Sequence, residues 1–349
     1  MKHLRCLAEG LISLDIESEP WRKRVPPECP EVHDAAVGCS VGEISPTQKT
    51  GNSRTLGSVI FGRLFWAVFK GLGGLLARAA GMARFFSLKD AIRDLVHDGD
   101  SVAAEGFSHL IPFAAGHEII RQQLRDLTLI RLTPDLIYDQ MIGAGCAAKM
   151  IFSWAGNPGV GLSPRFRDSI ENGWPHRIEI EEHTHAGLAA AITAGASGLP
   201  FGTLLGNSAN DLRIHTETIA PIVCPFTGRE VMAVRAIRPD VTIIHAQQAD
   251  RQGNVHFWGV TGIQKEAALA AKRVIATVEQ VCEKLKPGPN SVVLPSWVVT
   301  AIAHVPNGAR PSYAQGFYLR DDVFYREWDE VSKDRQKFLG WISQYVQHD

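Results

Sequence analysis

From Ser87 onward, β-rich runs alternate with stretches of helical periodicity, and this alternation restricts the fold more than any other feature of the chain. Strands are predicted at 101–104, 127–132, 148–154, 178–181, 241–245 and 274–278, where β-branched and other apolar residues cluster. Ser87-Leu-Lys-Asp90 has the spacing of a capping box, and Leu88, Ala91, Ile92, Leu95 and Val96 follow at helical spacing. Further helices are predicted after Pro112, after Ser163-Pro164, over the Ala-rich run 186–195 and over 265–273. Strands that alternate with helices give an α/β fold, an open and mostly parallel sheet with helices on both faces. Ligands of such sheets sit at the carboxyl ends of the strands.

The first part of the 349-residue chain is of another kind. Residues 1–56 carry no sustained period of 2 or 3.6. Residues 57–81 are apolar but interrupted by Arg63, Lys70 and Arg78, which suits a basic surface helix better than a membrane span. Positions 44–89 hold basic residues and no acidic ones, a composition like that of a targeting segment, but the acidic stretch before them is not. Two units are expected. Residues 1–81 are a poorly ordered N-terminal extension or a mis-assigned start, with Met82 as the natural one, and residues 82–349 are the ordered domain.

Composition excludes several classes. A formal net charge of -1 gives no general attraction to nucleic acid or to an anionic membrane. The six cysteines form no C-x-x-C pair, so neither a zinc site nor a disulfide framework is expected, and a reducing, cytoplasmic setting fits. His183 and His185 share a face at a strand end, without further ligands for a metal. No strand leads into G-x-G-x-x-G, which argues against a nicotinamide-dependent oxidoreductase.

Three segments lie where a substrate could bind. In the first, Gly106, Phe107, Ser108 and His109 follow Glu105 at the end of a strand, and the helix after Pro112 turns free N–H groups toward an anion. An ordinary tight turn is the plain alternative. In the second, a glycine-rich stretch leads into Ser163, Arg165 and Arg167. The two arginines can pair with a carboxylate or phosphate, or be solvated charges on a surface helix. The third runs from His245 through Gln247 and Gln248 to Asp250, Gly253 and Asn254. There the two amides leave a buried strand for a polar pocket, and Asp250 and Asn254 close a hairpin turn.

These pieces together resemble the α subunits of family I CoA-transferases of the glutaconate type. The resemblance rests on Ser87-Leu-Lys-Asp-Ala-Ile92, Asp98-Gly-Asp100, Gly106-Phe107, Ser163-Pro-Arg165-Phe-Arg167 and Gly198-Leu-Pro-Phe201. It continues in Pro225-Phe226 with Gly228 and Glu230, His245-Ala-Gln-Gln-Ala249, Asp250 with Gly253-Asn254, Trp258-Gly259, Val274 to Glu279, and the stretch 306–316. It implies an open sheet of the kind shared with sugar-phosphate isomerases, and a ping-pong reaction through a glutamyl-CoA thioester. It places the nucleophilic glutamate on a separate β subunit, in an assembly expected to be α2β2, with acyl-CoA and a carboxylic acid as substrates. No cofactor, metal, nucleic acid or membrane is expected, and no catalytic residue on this chain. The substrate-binding residues would be Gly106, Phe107, Ser108, His109, Ser163, Arg165, Gln247 and Gln248, and the arginines favour an acid with a second anionic group.

Three features complicate that expectation. Glu171-Asn172-Gly173 looks like the family's Ser-Glu-Asn-Gly nucleophile motif, but an Ile separates it from Ser169 and it closes a helix, which makes Glu171 a surface charge. Glu105 stands where the family commonly has Gly. The N-terminal extension is absent from the family. Two other functions fit the same fold: part of a CoA-thioester or ring-cleaving hydrolase, and a metabolite sensor.

Overall fold

The computed structural model describes residues 83–205, 212 and 215–347. The expectations for residues 1–81, including the basic helix over 57–81 and the start at Met82, lie outside the described residues. Among the described residues no helix is long and apolar enough to cross a membrane.

Eight strands form one parallel sheet. They are β1 (Arg84–Phe86), β2 (Ser101–Glu105), β3 (Leu127–Arg131), β4 (Ala147–Phe152), β5 (Glu179–Glu182), β9 (Val241–Asp250), β11 (Arg273–Cys282) and β13 (Ala301–His304). Their order across the sheet is β1-β13-β11-β9-β2-β3-β4-β5. Two antiparallel strands, β10 (Val255–Trp258) and β12 (Ser291–Leu294), branch from the end of β9. The central strands are almost continuously buried because both faces are covered. One face packs on α1 (Leu88–Leu95), α2 (Phe113–Arg121), α3 (Leu136–Gly143), α7 (Asp322–Lys333) and α8 (Arg335–Tyr345) through Ile92, Ile119, Ile137, Trp328 and Phe338. The other packs on α5 (His185–Ala196) and α6 (Gln264–Ala270) through Leu188, Ile192, Ala267 and Ala270.

Local signals hold at several element ends. Ser87 caps α1, accepting from Asp90 N at 3.1 Å and donating to its carboxylate at 2.6 Å. Ser163 and Pro164 begin α4 (Pro164–Glu171), but the Ser163 side chain makes no capping bond. Asp139 does that work from α3, accepting the N–H groups of Arg165 at 2.8 Å and Phe166 at 2.9 Å.

Three local expectations need correction. β9 runs five residues past His245, so Gln247 and Gln248 lie on a strand and not in a loop. The helix α3 was not expected, because every one of its residues is buried and it has no polar stripe to reveal its period. A second, antiparallel sheet of β6 (Phe201–Leu204), β8 (Glu230–Arg235) and β7 (Ile219–Val223) was not expected either. It packs on α5 through Ala191, Met232 and Val234.

Close approach explains one glycine of that packing. A Cβ on Gly195 of α5 would lie 2.0 Å from the carbonyl oxygen of Ile237. On Gly340 of α8 it would meet nothing within 4 Å. Gly195→Ala is therefore expected to destabilise the protein by about 2 kcal/mol or more. Gly340→Ala should stabilise it by about 0.5–1 kcal/mol. Denaturant unfolding of the two variants measures both signs.

Candidate functional site

The chain leaves β2 toward β3, β4 and β5, and leaves β9 in the opposite direction toward β11 and β13. A crevice opens at the carboxyl ends where the two directions part. Residues 106–111 form its first wall. Gly106 is required there, because a Cβ would come within 2.7 to 2.9 Å of His109 O, Leu110 O and Ile111 Cα. Ser108 and Leu110 both take left-handed backbone, with φ of 53°. That costly geometry is held by Leu110 N donating to Tyr313 O at 2.9 Å and by the side chain of His109.

His109 is buried and both its nitrogens are engaged. Nε2 accepts from Gln315 N at 3.0 Å, which places the proton on Nδ1, and Nδ1 donates to Val260 O at 3.0 Å. Burial lowers its pKa, so it is a neutral strut joining three loops. Ser108 is half-buried and Phe107 exposed. Gln264, which sequence reasoning passed over, spans the crevice floor. Its Nε2 reaches Glu105 O at 3.2 Å, His245 O at 3.3 Å and Leu110 O at 3.5 Å. Nothing in the sequence distinguishes it from any amide that opens an Ala-rich helix.

Two glutamates flank the crevice in contrasting settings. Glu279 of β11 accepts from His245 Nε2 at 2.7 Å, from Asn307 N at 2.8 Å and from the Tyr318 hydroxyl at 2.5 Å. Burial raises its pKa, but these donors outweigh it and hold the carboxyl below its ordinary range. Glu105 is 2 % exposed and its Oε1 has no partner. Burial pushes its pKa up to about 7, against the pull of Arg131 and of the N–H groups of Leu132 and Gly106. Arg131 is itself fully buried, donating to Gly106 O at 2.7 Å and to Asp135 at 3.1 Å.

The other residues singled out in the sequence fall into two places. Gln247 on β9 is buried, and both ends of its amide bond the backbone of Trp258, at 3.1 and 3.2 Å. Gln248 is half-buried and donates to Gln280 at 3.2 Å. Asp250 and Asn254 close the β9–β10 hairpin as expected, with Asn254 N on Asp250 Oδ1 at 2.9 Å and Gly253 at φ 88°. Ser163 and Arg165 belong to the helix layer, and no hydrogen bond joins them to residues 105–111. The Arg165 guanidinium donates to Asp168 at 3.0 Å and to Lys333 O at 3.1 Å, with the Trp174 ring 5.0 Å away. Arg167 pairs with Glu171 on the solvated face, and Gly173 at φ 67° ends the helix. His183 bonds Glu181 at 2.9 Å, while His185 begins α5.

Two outcomes follow. Arg165→Ala should cost about 2 kcal/mol or more by stripping a buried, stacked ion pair, while Arg167→Ala should cost less than about 0.5 kcal/mol. Denaturant unfolding separates them. For Glu105 the folded pKa is raised from 4.5 to about 7, so its contribution is full below pH 4.5 and is lost as pH rises to about 7. Glu105→Gln removes that loss, so the variant should gain on the order of 3 kcal/mol relative to the parent between pH 4 and 8. Stability of both proteins measured against pH tests it, and parallel curves would refute it.

The chain is 56% identical over 265 residues to the A subunit of 3-oxoadipate CoA-transferase from Pseudomonas knackmussii, covering 76% of this chain and 94% of that one. It is 33% identical over 285 residues to the A subunit of glutaconate CoA-transferase from Acidaminococcus fermentans, covering 76% and 88%. The crystal structure of glutaconate coenzyme A-transferase from Acidaminococcus fermentans superposes with a TM-score of 0.69 over 76% of this chain and 89% of that one, at 32% identity. The sequence pattern of the coenzyme A transferase family matches residues 85–304. Because that match runs from within β1 to the last residue of β13, it takes in every strand of the main sheet, and the chain belongs to the coenzyme A transferase family.

Proposed function

We propose that this chain is the α subunit of a heteromeric, cytoplasmic CoA-transferase, acting as α2β2 with a β subunit that supplies the nucleophilic glutamate. One observation carries this reading. At the crevice Glu279 is fully occupied by its three donors and Glu105 is enclosed, so neither presents a free carboxylate to an acyl-CoA. Glu171, the residue of the Glu-Asn-Gly motif, pairs with Arg167 on the surface of α4. Around the crevice Phe107, Val260, Phe317 and Leu319 are exposed apolar side chains, as suits a face that a partner covers. Both similar proteins are named as A subunits, and both names contain a dicarboxylic acid, which supports a dicarboxylate as the acid substrate.

In this reading the partner's glutamate attacks the thioester carbonyl, expels CoA thiolate and becomes an acyl anhydride. The thiolate then attacks the glutamyl carbonyl, releasing the first acid and leaving a glutamyl-CoA thioester. An incoming acid reverses both steps. A carboxylate nucleophile keeps each intermediate as reactive as the thioester it replaces. Water would hydrolyse the anhydride, so the site must be closed when it forms. This chain's contribution is the wall that holds the acid, with residues 106–109 beside the rigid His109 strut, and Gln248 at its edge. No resident cofactor is needed, since CoA enters and leaves as substrate.

Glu105 favours one second reading, in which the chain is part of a hydrolase. A carboxyl with a pKa near 7 can take and return a proton at neutral pH. Co-expression with the β chain, followed by acyl exchange and borohydride trapping of the enzyme-CoA thioester, separates the two. Transfer predicts label on the partner chain. Label on this chain, or thioester hydrolysis with no label at all, would overturn the transferase assignment.

A further inference from the structure

Beside the crevice, between the antiparallel β10–β12 pair, residues 286–290 and Gln315, lies a cleft of about 590 Å³. Its walls include Gln248, His256, Trp258, Lys286 and Gln315. It adjoins the His109 strut directly. Gly259 in its wall stands so close that a Cβ there would lie 2.8 Å from His109 Cε1, and Gln315 is the residue whose N–H caps His109 Nε2.

The chemistry of the walls is specific. Lys286 is the one charged side chain lining the cleft, it is exposed, and it has no ion-pair partner among the described residues. No acidic residue lines the cleft to compete for it. A lone cation in an acid-free concavity concentrates anions. His256 is 3 % exposed, and its Nε2 has no hydrogen-bond partner. Its Nδ1 lies a long 3.5 Å from Gln248 Oε1, so the proton is free to move to Nε2 for an incoming acceptor. The Trp258 ring lies 4.9 Å from His256 and 6.5 Å from Phe317, an aromatic wall for a carbon chain.

We propose that this cleft is the subsite for the far carboxylate of a dicarboxylic acid. Lys286 is the counter-ion, His256 Nε2 donates a hydrogen bond, and Trp258 lies along the methylene chain. The proposal rests on the CoA-transfer reading for its reaction but not for its binding. With the near carboxylate at the crevice by the 106–109 wall, the far one lies past Gly259 and Gln315. This makes Lys286 the residue that separates dicarboxylic from monocarboxylic acids of equal length. Glutamine at 248 and serine at 291 leave the cleft without a second charge, so removing Lys286 removes its only formal one.

The test uses the full chain with its β subunit, as parent, Lys286→Met and Lys286→Arg. Lys286 is exposed, so neither substitution disturbs the core. Adipate and hexanoate serve as acceptor acids. Lys286→Met should raise the KM for adipate about tenfold, equivalent to about 1.4 kcal/mol, with kcat and the KM for hexanoate within about twofold of the parent. Lys286→Arg should keep the preference for adipate. Equal losses for the two acids, or none for either, would overturn the proposal. Calorimetric titration of adipate without CoA reads the subsite apart from catalysis. If the complex transfers no CoA, the transferase reading fails, while about tenfold weaker adipate binding to Lys286→Met still supports the subsite. Adipate binding that does not depend on Lys286 rejects it.

Discussion

The parallel pairing of β2 with β9, in which Val102 through Glu105 register with Val241 through Ile244, is the constraint from which the rest follows. The chain departs from these neighbours in opposite directions, so the connections after them diverge and leave their carboxyl ends uncovered. Loops must then stabilise the opening without closing it. Gln264 does this from one side of the sheet by drawing carbonyls of β2, of residue 110 and of β9 onto a single amide. His109 does it from above, tying residues 106–111 to Val260 and Gln315. Both are uncharged, which suits their burial, since a charged strut would carry a desolvation cost of several kcal/mol.

The same physics separates the two crevice glutamates. Glu279 is buried among donors from three segments and is held ionised, so it organises residues 305–318 around itself. The Tyr318 hydroxyl that donates to it also accepts from Ala309 N at 3.1 Å, which extends the network one step further into that loop. Glu105 is more deeply buried with an unpartnered oxygen, and its neutral form is favoured up to about pH 7. Residue type is the same in the two cases; deeper burial favours the neutral form of Glu105, while three donors outweigh burial at Glu279. At the end of β3, the strand beyond Glu105, stands the fully buried Arg131–Asp135 pair, which links Gly106 to the start of α3.

Legibility in the sequence followed the range of each interaction. The α1 cap, the Pro at the start of α4, the αL glycine that ends it and the Asp250–Asn254 turn depend on residues within four positions, and each stood where the spacing placed it. The parallel sheet was legible because strands buried on both faces read as continuous apolar runs. The helix α3 was illegible for the same reason, since burial on all sides removes the polar stripe that marks a helix. The β6–β8–β7 sheet lacked a signal because β7 carries a proline and two of its five residues are the only ones turned inward or half so.

What the sequence determined by itself was the kind of fold, from the alternation of strands and helices, and the family, through the resemblance its motifs carry; Glu171 lies at the helix end where the local pattern placed it. Tertiary structure decided the uses of individual polar side chains. Arg165 and Arg167 stand two positions apart with the same chemistry, yet one is stacked and paired in the helix layer and the other lies in solvent with Glu171. Gln247 and Gln248 alternate across a strand, so one is consumed by backbone and its neighbour lines a cleft. The bond from Gln315 to His109 joins residues 206 positions apart. No periodicity or spacing encodes such a pairing, because it exists only once the sheet has brought the two loops to the same end.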